Sequence, residues 1–105
     1  MLQIFLEVCI RIKLTIQKHN NKALNVSHQW QLGSCANGSP SYEMNSTYTK
    51  YERCCLTPGY HTLTCHNEKG PFGWGKSFIE IQGQRYCDDF VGFKAMRSVN
   101  ISEGC

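Results

Sequence analysis

The sequence predicts an all-β fold, specifically a small disulfide-stabilised antiparallel β-sandwich. Three observations favour it. Short segments of alternating apolar and polar residues recur along the chain, and turn-forming residues separate them. No segment shows the sustained apolar period of a long helix. Seven cysteines in 105 residues indicate that disulfide bonds reinforce a core of modest size.

The first predicted strand covers residues 8 to 17. Apolar residues occupy alternate positions there: Val8, Ile10, Ile12, Leu14 and Ile16. This spacing and the β-branched content favour a half-buried strand over an amphipathic helix that anchors to a membrane. A second alternation over residues 27 to 32 predicts another strand, in which Trp30 is buried.

Residues 33 to 45 are rich in Gly, Ser, Pro and Asn, which predicts a loop. Five further strands are predicted over residues 47 to 53, 60 to 65, 78 to 81, 84 to 90 and 95 to 101. Pro58 and Gly59 provide a turn signal before the second of these five. The last is expected to close the domain through Met96, Val99 and Ile101.

The cysteines are expected to form disulfide bonds. Six of them define the predicted set: Cys35, Cys54, Cys55, Cys65, Cys87 and Cys105. The adjacent Cys54 and Cys55 would point to opposite faces of an extended chain, so one can bond inward while the other ties to a neighbouring segment. The connectivity stays open, because six cysteines allow many pairings. Seven cysteines leave at least one over, either Cys9 or Cys105, and this one would allow a disulfide-linked dimer.

Four acceptor motifs for N-linked glycans accompany the cysteines, at Asn25, Asn37, Asn45 and Asn100. Glycan acceptors and disulfides together predict a secreted, extracellular glycoprotein. The first ten residues do not resemble a signal peptide, because Glu7 interrupts their apolar run, and the run is too short to span a bilayer.

A single domain is expected, because the length suits one core. It covers residues 8 to 102, with terminal extensions at 1 to 7 and 103 to 105. Either the true start of the chain is missing or the sequence is a domain cut from a longer chain, and the second is the preferred interpretation. The net charge of +3 comes from scattered Lys and Arg residues. This pattern argues against binding to nucleic acid, which needs clustered basic residues.

Residues 66 to 76 contain three glycines, a proline and two large aromatic residues, which predicts a structured loop. Trp74 on this loop would either plug the end of the core or present a flat face to a sugar or a protein. Plugging is the preferred interpretation. Phe72 and Trp74 are nevertheless the candidate ligand-binding residues of the chain.

Neither a metal nor another cofactor is expected. The spacing from Cys65 to His66 is too short for a zinc-binding pair, and zinc thiolates would compete with disulfides. Asp88 and Asp89 are interpreted as a solvated acidic turn. The chain has no nucleophile elbow, metalloprotease helix or phosphate-binding loop, so no catalytic activity is expected.

Four motifs carry a resemblance to a known domain. They are Trp-x-Leu-Gly-x-Cys from Trp30, Cys-Cys-Leu-x-Pro-Gly-x-x-x-Leu-Thr-Cys from Cys54, Gly-Trp at Gly73, and Ile-x-Ile-x-Gly-x-x-Tyr-Cys from Ile79. Together they resemble a little-characterised cysteine-rich extracellular domain of secreted marine-invertebrate proteins. The resemblance covers residues 10 to 101 and implies an extracellular β-rich module, often one part of a larger protein.

This chain departs from that family in its central loop. Where the family loop has two Asp residues, the chain has Asn67 and Pro71, and Glu68 is the only acid nearby. Calcium prefers six to eight oxygen ligands with several carboxylates, so no calcium site is expected.

The preferred functional hypothesis is an extracellular structural or interaction module without catalysis, whose partner is an extracellular protein or glycan. One alternative is a secreted effector, such as a toxin, a protease inhibitor or a defence protein. Another is a lectin-like carbohydrate binder that uses the Trp74 loop.

Overall fold

A computed structural model describes residues 6–17, 27–36, 41–42, 48–68 and 70–103. Within these residues the protein contains nine strands and no helix. They are β1 (Val8–Ile16), β2 (Ser27–Leu32), β3 (Cys35–Ala36), β4 (Ser41–Tyr42), β5 (Tyr48–Leu56), β6 (Gly59–His66), β7 (Phe78–Ile81), β8 (Gln84–Tyr86) and β9 (Lys94–Ile101). The predicted acceptors Asn25, Asn37 and Asn45 and the predicted half-cystine Cys105 lie outside the described residues.

The strands form two antiparallel sheets, as the sequence predicts. The four-stranded sheet has the order β5-β1-β7-β8, and β5 pairs with β1 along its whole length. The five-stranded sheet has the order β3-β2-β6-β9, with β4 also paired to β2. The disulfide-stabilised antiparallel β-sandwich is therefore the observed fold.

The alternation of apolar residues determines which face of each strand is buried. In β1 the apolar residues from Ile10 to Ile16 point inward, and the polar residues between them remain at least partly exposed. Trp30 in β2 is buried, as predicted. The buried core includes Ile10, Ile12, Leu14, Ile16, Trp30, Leu32, Leu56, Leu63, Trp74, Ile79, Ile81, Phe90, Val99 and Ile101.

Strands β7 and β8 form a hairpin with a two-residue turn. Gln82 and Gly83 both have positive φ, 49° and 84° respectively. This is the backbone of a type I′ turn, whose twist matches that of the paired strands. Strand β8 ends at Tyr86, earlier than the predicted residue 90, because Cys87 also has a positive φ of 65° that breaks the extended conformation.

Three other expectations for the strands need correction. The predicted loop over residues 33 to 45 contains the short strands β3 and β4, which exist because they pair with β2. Strand β5 continues through the cysteine doublet to Leu56. Met96 does not help to close the domain, because it is exposed on the outer side of β9 while Val99 and Ile101 face inward.

Three disulfides join the described cysteines: Cys9 to Cys55, Cys35 to Cys54 and Cys65 to Cys87. The omission of Cys9 from the predicted set was wrong. Cys9 lies directly opposite Cys55 in the β1–β5 pair, so the two side chains share one face. These bonds take six of the seven cysteines, so one cysteine of the chain is left over.

The cysteine doublet bonds in two directions, as the sequence predicts. Cys54 points inward and bonds to Cys35 on β3, which joins the two sheets. Cys55 points to the other face and bonds within its own sheet. Cys65 on β6 and Cys87 just after β8 form a second bond between the sheets, and both are buried.

Candidate binding site on two paired loops

Two loops lie side by side at one end of the sandwich. Residues 67 to 77 connect β6 to β7, and residues 87 to 93 connect β8 to β9. The backbone N–H of Gly73 donates to the carbonyl oxygen of Gly92 at 3.0 Å, and that of Gly92 donates to Pro71 at 3.0 Å. The N–H of Asn67 donates to the carbonyl oxygen of Phe93 at 2.8 Å. We call these segments the paired loops.

The buried disulfide between Cys65 and Cys87 fixes the base of both loops. Cys65 lies two residues before the first loop, and Cys87 is the first residue of the second. Because the bond also joins the two sheets, the loops begin from a rigid position.

Asn67 connects the paired loops to β2. Its side chain is fully buried, and Oδ1 accepts a hydrogen bond from the backbone N–H of Ser27 at 2.9 Å. Its Nδ2 donates to the carbonyl oxygen of Gly73 at 2.9 Å. The hydroxyl of Ser27 in turn accepts a hydrogen bond from the N–H of Glu68 at 3.0 Å. The amide of Asn67 thus supplies a donor that a carboxylate at this position would lack.

A second buried polar group lies beneath the same loop. The hydroxyl oxygen of Ser77 is 3.0 Å from Nε2 of His28 and accepts a hydrogen bond from the N–H of Gln17 at 2.9 Å. Among the described residues the buried polar side chains are Ser27, His28, Asn67 and Ser77. All four contact the first loop or belong to it, so these buried polar groups help to hold that loop in one conformation.

Trp74 is part of the core and not of a binding surface. Its side chain is 1% exposed, and its ring lies 5.5 Å from His28 and 5.9 Å from Phe90 between centroids. The indole N–H donates to the carbonyl oxygen of His66 at 3.2 Å. The preferred interpretation of Trp74 as a plug is confirmed. Its assignment as a ligand-binding residue was wrong, because both faces of its ring are covered.

Gly73 allows the two loops to approach each other. Its φ is 63°, in the left-handed region that favours glycine. A Cβ atom at this position would overlap the carbonyl oxygen of Phe90. Any larger residue would therefore push the second loop away from the first.

Three large apolar side chains remain exposed on the paired loops. Phe72, the other predicted ligand-binding residue, is 42% exposed, Val91 is 83% exposed and Phe93 is 52% exposed. The backbone of Phe72 is bridged to that of Gly92, which lies between Val91 and Phe93. We call these three residues the apolar loop patch. Exposed charged residues of both signs flank it in sequence: Lys76, Asp88, Asp89 and Lys94.

Sequence reasoning identified Phe72 but missed Val91 and Phe93. A signal was present, because two large apolar residues, Val91 and Phe93, flank Gly92 between two predicted strands. In a loop, such residues are either buried under the chain or exposed for contact, and only the fold distinguishes the two cases. Phe90 is buried and its neighbours are not.

Asn100 is the one predicted glycan acceptor within the described residues. It lies on the exposed face of β9, directly opposite Tyr60 in β6. In the described part of the chain, no three His, Cys, Asp or Glu residues are grouped so that they could bind a metal ion. No helix in that part is long and apolar enough to cross a membrane.

Comparisons of the chain with family models, with curated proteins and with solved structures find no match. The class of protein is thus described by its fold and site alone, as a small β-sandwich with two disulfides between its sheets. An ordered pair of loops at one end carries exposed apolar side chains.

Proposed function

We propose that this domain is a secreted, glycosylated extracellular module without catalytic activity, which binds a protein partner through the apolar loop patch. One observation carries the proposal: Phe72, Val91 and Phe93 are exposed on loops whose backbones are hydrogen-bonded to each other and fixed at their base by a buried disulfide.

The conformation of the paired loops supports binding. Exposed large apolar residues that stand together mark interaction sites more often than isolated ones do. Association is opposed by the entropy lost when side chains and loops become ordered. Loops that are already held by Asn67 and the Cys65–Cys87 bond lose little further entropy on binding. Aromatic residues such as Phe72 and Phe93 are enriched at the centres of protein interfaces.

The disulfides support the extracellular location. Three bonds in one small domain are typical of proteins that fold in an oxidising compartment, and cytosolic thiols are kept reduced. The same compartment attaches N-linked glycans, for which the chain has four acceptor motifs.

The position of Asn100 leaves the apolar loop patch free. Phe93 immediately precedes β9, and Asn100 lies six residues beyond the first residue of this strand. At the rise of an extended strand this separation is about 20 Å. A glycan on Asn100 would therefore begin near the opposite end of the sheet from the patch.

Intact mass of the protein secreted from eukaryotic cells tests the compartment. We expect three disulfides and attached sugar, measured with and without reduction and deglycosylation. Seven free thiols without sugar would overturn the extracellular assignment and reopen metal or redox chemistry.

Peptides selected from a phage-displayed library for binding to the intact domain test the binding surface. Such peptides are expected to bind preferentially at a surface that is suited to binding a protein. We expect peptides that bind the intact domain to bind a variant with F72S, V91S and F93S at least tenfold more weakly. Tyr51→Ser is the matched control, since Tyr51 is also an exposed aromatic residue but lies on β5. Equal binding to the triple variant would contradict the proposed surface.

Two further assays address the other hypotheses for the same domain. Binding to a glycan array that is lost in the triple variant would favour a lectin-like role for Phe72 or Phe93. Inhibition of a member of a protease panel by the intact domain would favour a secreted effector.

A further inference from the structure

Asn100 and Tyr60 form a cross-strand pair on the outer face of the five-stranded sheet. The register of β6 and β9 places them directly opposite each other, and both are exposed. Side chains in such a pair have their Cβ atoms about 5 Å apart. Tyr60 is 76% exposed, although it is a large aromatic residue near the end of a sheet face.

A polar groove lies beside this pair. It has a volume of about 280 Å³ and lies between the β7–β8 hairpin and the β6–β9 strands. Its lining is mostly amide, hydroxyl and phenol groups, from Tyr60, Gln82, Gln84, Tyr86, Ser98 and Asn100. Such groups offer donors and acceptors to sugar hydroxyls, and the aromatic rings offer faces for the apolar side of a sugar.

The two walls of the groove are held together by Gln82. Its Nε2 donates to the carbonyl oxygen of Ser102 at 2.9 Å, and its Oε1 accepts from the N–H of Ser102 at 3.0 Å. Ser102 is also the hydroxyl residue of the Asn100 acceptor motif. The β7–β8 turn of the four-stranded sheet is thus fixed to the end of β9 in the five-stranded sheet, just beyond Asn100.

We propose that this groove holds the first sugar of an N-linked glycan on Asn100, with that sugar packed on the ring of Tyr60. The glycan is then an ordered part of the domain that covers an exposed aromatic ring and bridges the two sheets. Pockets that bind small molecules have volumes from roughly 300 Å³ upward. The groove is slightly smaller than this lower bound, and such a size suits a single sugar ring. This inference rests on the glycosylation that the proposed function includes.

The test uses protein secreted from eukaryotic cells, in a background where Asn25, Asn37 and Asn45 are changed to Gln. Mass spectrometry of the Asn100 peptide first establishes whether sugar is attached. Thermal unfolding is then measured for the glycosylated protein, for Asn100→Gln, for Tyr60→Thr and for the double variant. We expect loss of the glycan to lower Tm by about 5 °C when Tyr60 is present. With Thr at this position, we expect the same loss to lower Tm by no more than about 1 °C.

Two controls connect the effect to the Tyr60 ring. Tyr60→Phe keeps the aromatic ring, so the glycan should still have its full effect on Tm. Tyr51→Thr removes an exposed ring from the other sheet and should leave the effect of the glycan on Tm unchanged. Proton NMR provides a readout independent of stability. The N-acetyl methyl signal of the first sugar should be shifted by the ring current of Tyr60, and Tyr60→Thr should abolish the shift.

The outcomes separate this inference from the function on which it rests. An Asn100 peptide without sugar overturns both the glycosylation of this site and the sugar-binding role of the groove. An Asn100 glycan whose effect on Tm is the same with Tyr or Thr at residue 60, and whose methyl signal is unshifted, overturns the inference alone.

Discussion

The side-chain amide of Asn67 donates a hydrogen bond to the carbonyl oxygen of Gly73, 2.9 Å away, from a fully buried position. The same side chain accepts a hydrogen bond from the N–H of Ser27 on β2. One residue therefore joins the middle of the first loop to the start of a strand forty positions earlier in the chain. This link orders Gly73, and through Gly73 it orders the second loop.

Asn67→Asp should lower the free energy of unfolding by about 3 kcal/mol. The new oxygen would face the carbonyl oxygen of Gly73, with no proton between them and a buried charge added. Urea unfolding of the variant measures this loss. Gln84→Glu is the control, because it makes the same change of amide to acid at an exposed position and should change stability by less than about 0.5 kcal/mol. Equal losses in the two variants would contradict the role of Asn67.

Trp74→Ala should destabilise the domain by about 3 to 5 kcal/mol, because it leaves a cavity between the core and the paired loops. Phe72→Ala, two residues earlier, removes an exposed ring and should cost less than about 1 kcal/mol. Thermal or urea unfolding of both variants measures the difference. A stable Trp74→Ala variant that has lost ligand binding would mean that this ring acts as a binding surface after all.

Gly73→Ala should be at least about 2 kcal/mol more destabilising than Gly83→Ala. Both glycines have positive φ, so both substitutions strain the backbone. Only at Gly73 does the added Cβ also overlap another residue, the carbonyl oxygen of Phe90, since nothing lies within 4 Å of a Cβ at Gly83. Unfolding curves for the two variants give the comparison, and similar losses would show that the loops do not need their close approach.

The Cys9–Cys55 bond should be reduced first when the folded protein is treated with a mild thiol. Exchange requires access of the attacking thiolate, and Cys9 is exposed whereas Cys65 and Cys87 are buried. Timed alkylation followed by peptide mass mapping gives the order. In denaturant this preference should disappear, because every bond is then accessible. Equally fast alkylation of Cys65 in the folded protein would contradict the buried position of its bond.

Much of the fold could be predicted because strand periodicity is a local property. The alternation from Val8 to Ile16 fixes which side chains enter the core, whatever the neighbouring strands are. The doublet at Cys54 and Cys55 could be assigned to two faces by the same rule. The same rule explains why the expectation for Met96 was wrong, because residues 96 and 99 are three apart and in one strand they point to opposite faces.

The remaining features depend on contacts between distant segments. Cys9 bonds to Cys55 because β1 and β5 are neighbours in one particular register, which the spacing of cysteines does not reveal. The short strand β4 is extended because it pairs with Ser27 and His28 at the far end of β2. The exposure of Val91 and Phe93 follows from the pairing of two loops that are separate in the sequence.

The partners of the two adjacent half-cystines of β5 record how this strand is aligned with β1. If β5 shifted by one residue against β1, every side chain of β5 would change faces, and Cys54 would move outward as Cys55 moved inward. Cys54 would then stand on the face of Cys9, and Cys55 would look toward the far sheet that carries Cys35. A slip would therefore exchange the partners of the two cysteines, so the pairing of Cys55 with Cys9 and of Cys54 with Cys35 reports the alignment of β5 with β1.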